Sequence, residues 1–286
     1  MSTPSTPILR FEPVYQSRVW GGRALAEKFG RTLPEAGTPY GESWEISARP
    51  EAESRVRAGE HAGRSLSELW SDPETRRSIF GQRAPDCDRF PLLCKILDAR
   101  EKLSIQVHPP ADVAQRLGGE PKTEVWYIAH AEPGAELYVG VERGVTQDSF
   151  HTALTKGAAE DLVHALPVRT GQHILIRSGR LHAIGAGIII YEIQQNSDTT
   201  YRVYDWNRLG LDGKPRDLHI SESLQCIDFD DVEPRMDETK WALLSECEHF
   251  RVEKHRVGDG YCIADAIEGR FAIVTVVSGQ LARGEE

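Results

Sequence analysis

The sequence predicts a mainly β fold, a barrel or sandwich of short strands with short helical insertions, and three observations carry that expectation. From Gly171 onward the chain is a series of β-branched and aromatic runs, HILIRSG, IIIYEIQQ and TTYRVYDW, parted by short turns. Earlier, ESWEISA and SIQVH alternate polar and apolar residues with the period of two that a strand imposes. No tandem repeat of fixed period interrupts this texture, which sets aside solenoids and propellers.

The elements follow in order. Residues 1–10 are polar and rich in Pro, Ser and Thr, an expected extended arm. Trp20-Gly21-Gly22 reads as a turn, and residues 23–29 as a short helix stopped at Gly30. Strands are expected at 42–48 and 54–58. Ser65 and Glu68 form a capping box opening a helix through Trp70, and a second helix covers 73–80. Strands follow at 90–97 and 103–107, the latter stopped by Pro109-Pro110. A helix at 111–117 closes on Gly118-Gly119. Strands are expected at 124–128 and 135–139, and Thr146 caps a helix running to about Leu166. Late strands are expected at 250–255, 261–264 and 271–277. The acidic stretch 228–240 (DFDDVEPRMDETK) reads as a linker, dividing a domain at 1–230 from a small β-rich tail at 231–286.

Composition narrows the function. The chain has 286 residues, 40% hydrophobic and 27% charged, with a net charge of −10. This acidic balance argues against a general nucleic-acid or anionic-membrane surface, so an anionic substrate needs a local basic cluster. The N-terminus lacks the basic and apolar regions of a secretory signal, and no apolar run approaches the ~20 residues of a membrane span. Five scattered cysteines, Cys87, Cys94, Cys226, Cys247 and Cys262, form no CxxC and fit a reducing cytoplasm.

The chemistry gathers around two of the ten histidines. Alternation puts Ser104, Gln106 and His108 on one face of their strand and Ile105 and Val107 on the other. A polar inner face marks a site in a barrel, and a solvated strand face is the competing reading. His182 lies in GQHILIRSGRLHAIG, which matches the second cupin motif with Arg177 in place of the usual proline and Gly185 in place of the usual asparagine. Glu124, in KTEVWY, is a third ligand candidate, against the reading of a solvated strand residue. Gln106, His108, Glu124 and His182 together make a nitrogen and oxygen set suited to zinc; two imidazoles and a carboxylate also suit iron or manganese. The other eight histidines read as ordinary surface or packed residues.

The stretches WGG, GESWEISA, FPLLCKILDA, LSIQVHP, KTEVWYI, GRLHAIGAG and EIQQNSDTTYRVYDWNR resemble, in content and order, the short bacterial type I phosphomannose isomerases. The resemblance spans most of residues 11–228. It implies a cupin, a jelly-roll β-barrel, and a zinc-dependent interconversion of mannose 6-phosphate and fructose 6-phosphate. It also implies one Zn2+ per chain on Gln106, His108, Glu124 and His182, with Arg202 as the active-site arginine. The family continues into further strands after a segment like VVSGQL, so the tail is expected to be a second, incomplete cupin-like unit.

Within that frame Glu192 is the preferred general base, because alternation sets it on the face of Gln194 and burial would raise its pKa. Arg202 would stabilise the enediolate, with an ion pair to Asp198 or Asp205 as the rival reading. Lys122 and Ser104 are candidates for the phosphate, with Lys95 and Lys102 as alternatives, and Asp198 is a further substrate contact. The alternative functions are another metal-cupin enzyme, such as an iron dioxygenase, and a non-catalytic sugar-binding cupin. Oligomeric state is open.

Overall fold

The protein is described by a computed structural model over residues 8–258, 267 and 269–280. The strand expected at 261–264, and Cys262, lie outside the described residues. The elements run β1 (Val14–Gly22), α1 (Ala24–Glu27), β2 (Tyr40–Ile46), β3 (Ala48–Arg49), β4 (Ala52–Glu53), α2 (Leu66–Ser71), α3 (Pro73–Phe80), β5 (Leu92–Ala99), β6 (Ile105–Val107), α4 (Ala111–Leu117) and β7 (Glu124–Ala131). They continue with β8 (Glu136–Val141), α5 (Gln147–Thr155), β9 (Val163–Pro167), β10 (His173–Ile176), β11 (His182–Ile184), β12 (Ile188–Gln195), β13 (Tyr201–Tyr204), α6 (Ile220–Cys226), β14 (Ala242–Glu246) and β15 (Arg251–Lys254).

Two antiparallel sheets make the body: six strands in the order β1-β2-β5-β12-β7-β10, and five in the order β13-β6-β11-β8-β9. A core of Leu97, Trp126, Ile128, Leu137, Val139, Ile174, Ile184 and Ile190 draws on both sheets, so the two inner faces close on each other. β5 and β12 lie in the middle of the larger sheet and read as nearly continuous apolar runs, because both of their faces are covered; all eight residues of β5 are buried. The expected mainly β, barrel-like fold is therefore the observed one.

Differences from the sequence-based expectation have local causes. Trp20-Gly21-Gly22 is not a turn but the end of β1: a Cβ on Gly21 would sit 2.3 Å from the Gly41 nitrogen, so the glycine permits two backbones to cross. The helix after Thr146 stops at Thr155, with Gly157 at φ +70°, and 163–167 is a strand paired with β8. Helix α6, strand β14 and strand β9 carry no strong local signal and were not expected. Residues 271–277 form no strand; Phe271 instead packs its ring on Trp70, Phe80 and Phe90. The acidic stretch 228–240 lies along the barrel: Arg180 holds Asp231 bidentately at 2.7 and 2.8 Å, and Asp237 N–H donates to His173 O. Beyond it, β14 and β15 form a separate two-stranded sheet. Among the described residues no helix is long and apolar enough to cross a membrane.

Candidate metal centre

Strand register places the polar side chains. On the larger sheet Trp44, Lys95, Glu192 and Trp126 are successive cross-strand partners through β2, β5, β12 and β7. On the smaller sheet Arg202, Gln106 and His182 are partners through β13, β6 and β11. Residues directly opposite on paired strands share a face. Each sheet thus presents one rung of polar groups, and Gln194 pairs with Glu124 two residues further along.

His108, Glu124 and His182 converge between the sheets, with one ligand atom of each lying within 4.8 Å of the others. All three are at most 1% exposed. His108 Nδ1 donates to Thr199 O at 2.9 Å, and His182 Nδ1 donates to Arg180 O at 2.8 Å. A carbonyl only accepts, so each ring carries its proton on Nδ1 and turns a lone pair on Nε2 inward. Those Nε2 atoms stand 3.6 and 3.7 Å from Glu124 Oε1, too far for hydrogen bonds. His108 Nε2 and Glu124 Oε1 have no hydrogen-bond partner although fully buried. Buried acceptors facing one another without a proton between them are what a divalent cation satisfies, and carbonyl-anchored imidazoles are what it selects. The residues fit a metal ion.

Charge follows the same logic. Burial, with Lys122 nearby, lowers the His108 pKa; burial and His108 bring His182 down to about 3. Burial pushes the Glu124 carboxyl up, but Lys122 and His108 outweigh it and hold the group well below the usual carboxylate range. The cluster is thus two neutral imidazoles and a carboxylate. Lys122 Nζ lies 2.6 Å from Glu124 Oε2, a close ion-pair contact. Gln106 stands beside the cluster through its amide NH2, which donates to His182 Nε2 at 3.3 Å, while its carbonyl oxygen accepts from Ser104.

A cavity of about 550 Å³ opens next to the cluster, lined by Ser104, Gln106, Lys122, Glu192, Asp198 and Arg202 among others. Glu192 Oε2 accepts from Trp126 Nε1 at 2.9 Å, and Oε1 lies 3.8 Å from both Lys95 and Lys122. Burial, then Glu124, push its carboxyl up to about 7, against the pull of the two lysines. Asp198 lies 3.5 Å from Lys95. Arg202 makes neither of the ion pairs considered for it: Asp205 is held by Arg208 and Arg216, and Arg202 donates from Nη1 to Asp217 O at 2.8 Å, leaving Nε buried without a partner.

The sequence reasoning missed a second group on this wall. Arg18 grips Glu42 with Nε and Nη2 at 3.2 and 3.1 Å, Trp44 Nε1 donates to Glu42 at 2.6 Å, and Lys95 Nζ stands 4.5 Å from the Trp44 ring centroid. The available signal was Lys95, a lone charge in the apolar run FPLLCKILDA, since a lysine is almost never fully buried without partners.

Comparison with known proteins agrees with this geometry. Residues 8–120 match the family model for the phosphomannose isomerase type I catalytic domain. The chain is 38% identical over 285 residues to mannose-6-phosphate isomerase ManA of Bacillus subtilis, covering 96% of this chain and 87% of that protein. It is 41% identical over 211 residues to a mannose-6-phosphate isomerase of Streptococcus mutans, covering 73% of this chain and 64% of that one. The crystal structure of the Bacillus subtilis mannose 6-phosphate isomerase superimposes with a TM-score of 0.75 at 36% identity, over 85% of this chain and 78% of that chain. With its two facing sheets and its inward-turned His108, Glu124 and His182, the chain belongs to the type I phosphomannose isomerase family and has its cupin fold.

Proposed function

We propose that this protein is a zinc-dependent isomerase that interconverts mannose 6-phosphate and fructose 6-phosphate through an enediolate. The observation that carries the reading is the buried His108–Glu124–His182 cluster set beside a cavity whose wall holds a carboxylate tuned to about 7, Glu192. A Zn2+ ion on His108, Glu124 and His182, with Gln106 beside them, would supply Lewis-acid polarisation of the sugar oxygens.

The side chains do the rest. Glu192 moves the proton between C1 and C2. Its Oε2 is fixed by the Trp126 indole, which leaves Oε1 to accept, and a pKa near 7 suits both taking and returning a proton. Arg202, a permanent cation with a buried and unpartnered Nε, stabilises the negative charge that develops on the enediolate oxygen. Lys122 and Ser104 hold the phosphate, and Asp198, steadied by Lys95, contacts the sugar hydroxyls. Lys122 and Arg202 on the cavity wall are the cations that an anionic substrate would meet against a net charge of −10.

The test is a coupled assay for fructose 6-phosphate formed from mannose 6-phosphate by zinc-loaded protein; absence of turnover with zinc bound would sink the reading in favour of a binding module. Glu192→Gln should lower kcat by about 10²–10⁴-fold and remove the acid limb of the kcat/KM profile, with bound zinc unchanged. Near-normal turnover in that variant would take the base role away from Glu192.

A further inference from the structure

The segment between β12 and β13, Asn196 to Thr200, contributes Asp198 to the cavity wall, yet its neighbours Ser197 and Thr199 make another set of bonds. Thr199 O is the acceptor that fixes the His108 Nδ1 proton. This carbonyl lies outside any strand, so no ladder sets its direction. Side chains set it instead. Glu120 N–H donates to Thr199 Oγ1 at 3.0 Å, and Thr199 N–H donates to Ser197 Oγ at 3.2 Å. Ser197 Oγ in turn donates to Glu120 O at 3.1 Å, and Gln194 Nε2 donates to Ser197 O at 2.6 Å. Glu120 is itself tethered, its carboxylate taken by Arg49 at 2.7 Å and by Arg89. Gly119 permits the approach: a Cβ there would stand 2.9 Å from Thr199 Cγ2. Ser197 is 1% exposed, so water does not compete for these bonds.

From this we infer that Ser197 and Thr199 are positioning residues for His108: bonded to the Glu120 backbone, they aim the Thr199 carbonyl that holds the imidazole with its Nε2 lone pair toward Glu124. The inference deepens the proposed function, because it rests on the cluster being a metal site. A ligand ring free to rotate or to change tautomer loses order each time it binds an ion. A ring already held by a fixed acceptor does not, and groups that orient a ligand in this way are worth about 10–100-fold in metal affinity. The segment therefore joins three parts of one site, with Glu192 on the strand before it, Arg202 on the strand after it and His108 hydrogen-bonded to its middle.

The experiment uses the full chain and has two readouts that do not involve turnover. Zinc affinity is measured by competition with a chromophoric chelator, and the His108 ring nitrogens are observed by 15N NMR in the metal-free protein. Thr199→Val keeps the shape of the side chain and removes the acceptor of the Glu120 N–H. It should weaken zinc binding by about 10–100-fold and broaden or shift the His108 Nδ1–H signal, with the His182 signals unchanged. Thr199→Ser, which restores a hydroxyl, should bind zinc within about threefold of the parent, and Ser197→Ala should fall between the two. A folded Thr199→Val protein with parental zinc affinity and an unaltered His108 signal overturns the inference. If Thr199→Val does not fold, Ser197→Ala decides by the same two readouts. Should the parent protein bind no zinc at all, the proposed function fails first, while the NMR comparison still reads the positioning of His108.

Discussion

At the scale of single residues, the wall of the cavity is a chain of alternating charge. Arg18, Glu42, Lys95, Glu192, Lys122 and Glu124 follow one another with separations from 2.6 to 3.9 Å. Each buried charge is tolerated because the next one answers it. Glu42 shows the consequence for acid stability. Burial pushes its carboxyl up, but Lys95, Arg18 and the Trp44 hydrogen bond bring it down to about 2 from 4.5. A lowered folded pKa stabilises the native state above pH 4.5, and that contribution disappears as the pH falls from 4.5 to about 2. Glu42→Gln should therefore be less stable than the parent at neutral pH, by at most roughly 3 kcal/mol from this source. The gap should narrow steadily on acidification, as read by urea midpoints at pH 7, 4 and 2.5. A gap that stays constant with pH would deny Glu42 this role. His108 and His182 were legible in the sequence because strand alternation and flanking glycines leave a mark on adjacent residues, and the structure brings both together with Glu124 of the KTEVWY run. Arg18 and Glu42 were not, because what makes them a site is a bond between two strands 24 residues apart.

At the scale of elements, helices with local start and stop chemistry were legible almost to the residue. α2 opens on the Ser65–Glu68 capping box, α3 on an Asp72 cap with Pro73 in its first turn, and α4 closes on Gly118 at φ +70°. α6 was missed because its cap, His219, makes no side-chain bond to the helix. β9 was missed because it is a strand only through its pairing with β8, and its residues alone are compatible with a helix. The helical pair α2 and α3 meets the barrel in a buried cluster where Leu66 and Leu69 join Leu92 and Val125 around an aromatic knot: the Trp70 ring lies 5.1 Å from Phe80 and 5.0 Å from Phe90, and its Nε1 donates to Cys87 O at 2.9 Å. Trp70→Ala should cost about 3–5 kcal/mol in chemical denaturation, because it leaves a large cavity, while the Cys87 carbonyl keeps its bond from Arg76 Nη1 at 3.0 Å. A loss under 1 kcal/mol would mean that the helical pair is only loosely attached to the barrel.

At the scale of the whole molecule, an ion bound at a buried cluster stabilises the native state by mass action. Zinc at about 100 times its dissociation constant should add about 2.7 kcal/mol, seen as a rise in Tm that a chelator reverses. A Tm indifferent to zinc would argue against the cluster as a resident metal site. The Arg180–Asp231 pair gives the molecule an order of assembly. Arg180 supplies the carbonyl that orients His182, and its side chain is gripped by a carboxylate 51 residues further along the chain. On the ribosome, His108, Glu124 and His182 all emerge well before that grip exists. The turn that carries Arg180 is therefore braced only after residue 231 has cleared the exit tunnel, although every strand of the two sheets precedes it. The final setting of the His182 ring is thereby tied to synthesis of the acidic stretch that lies along the barrel.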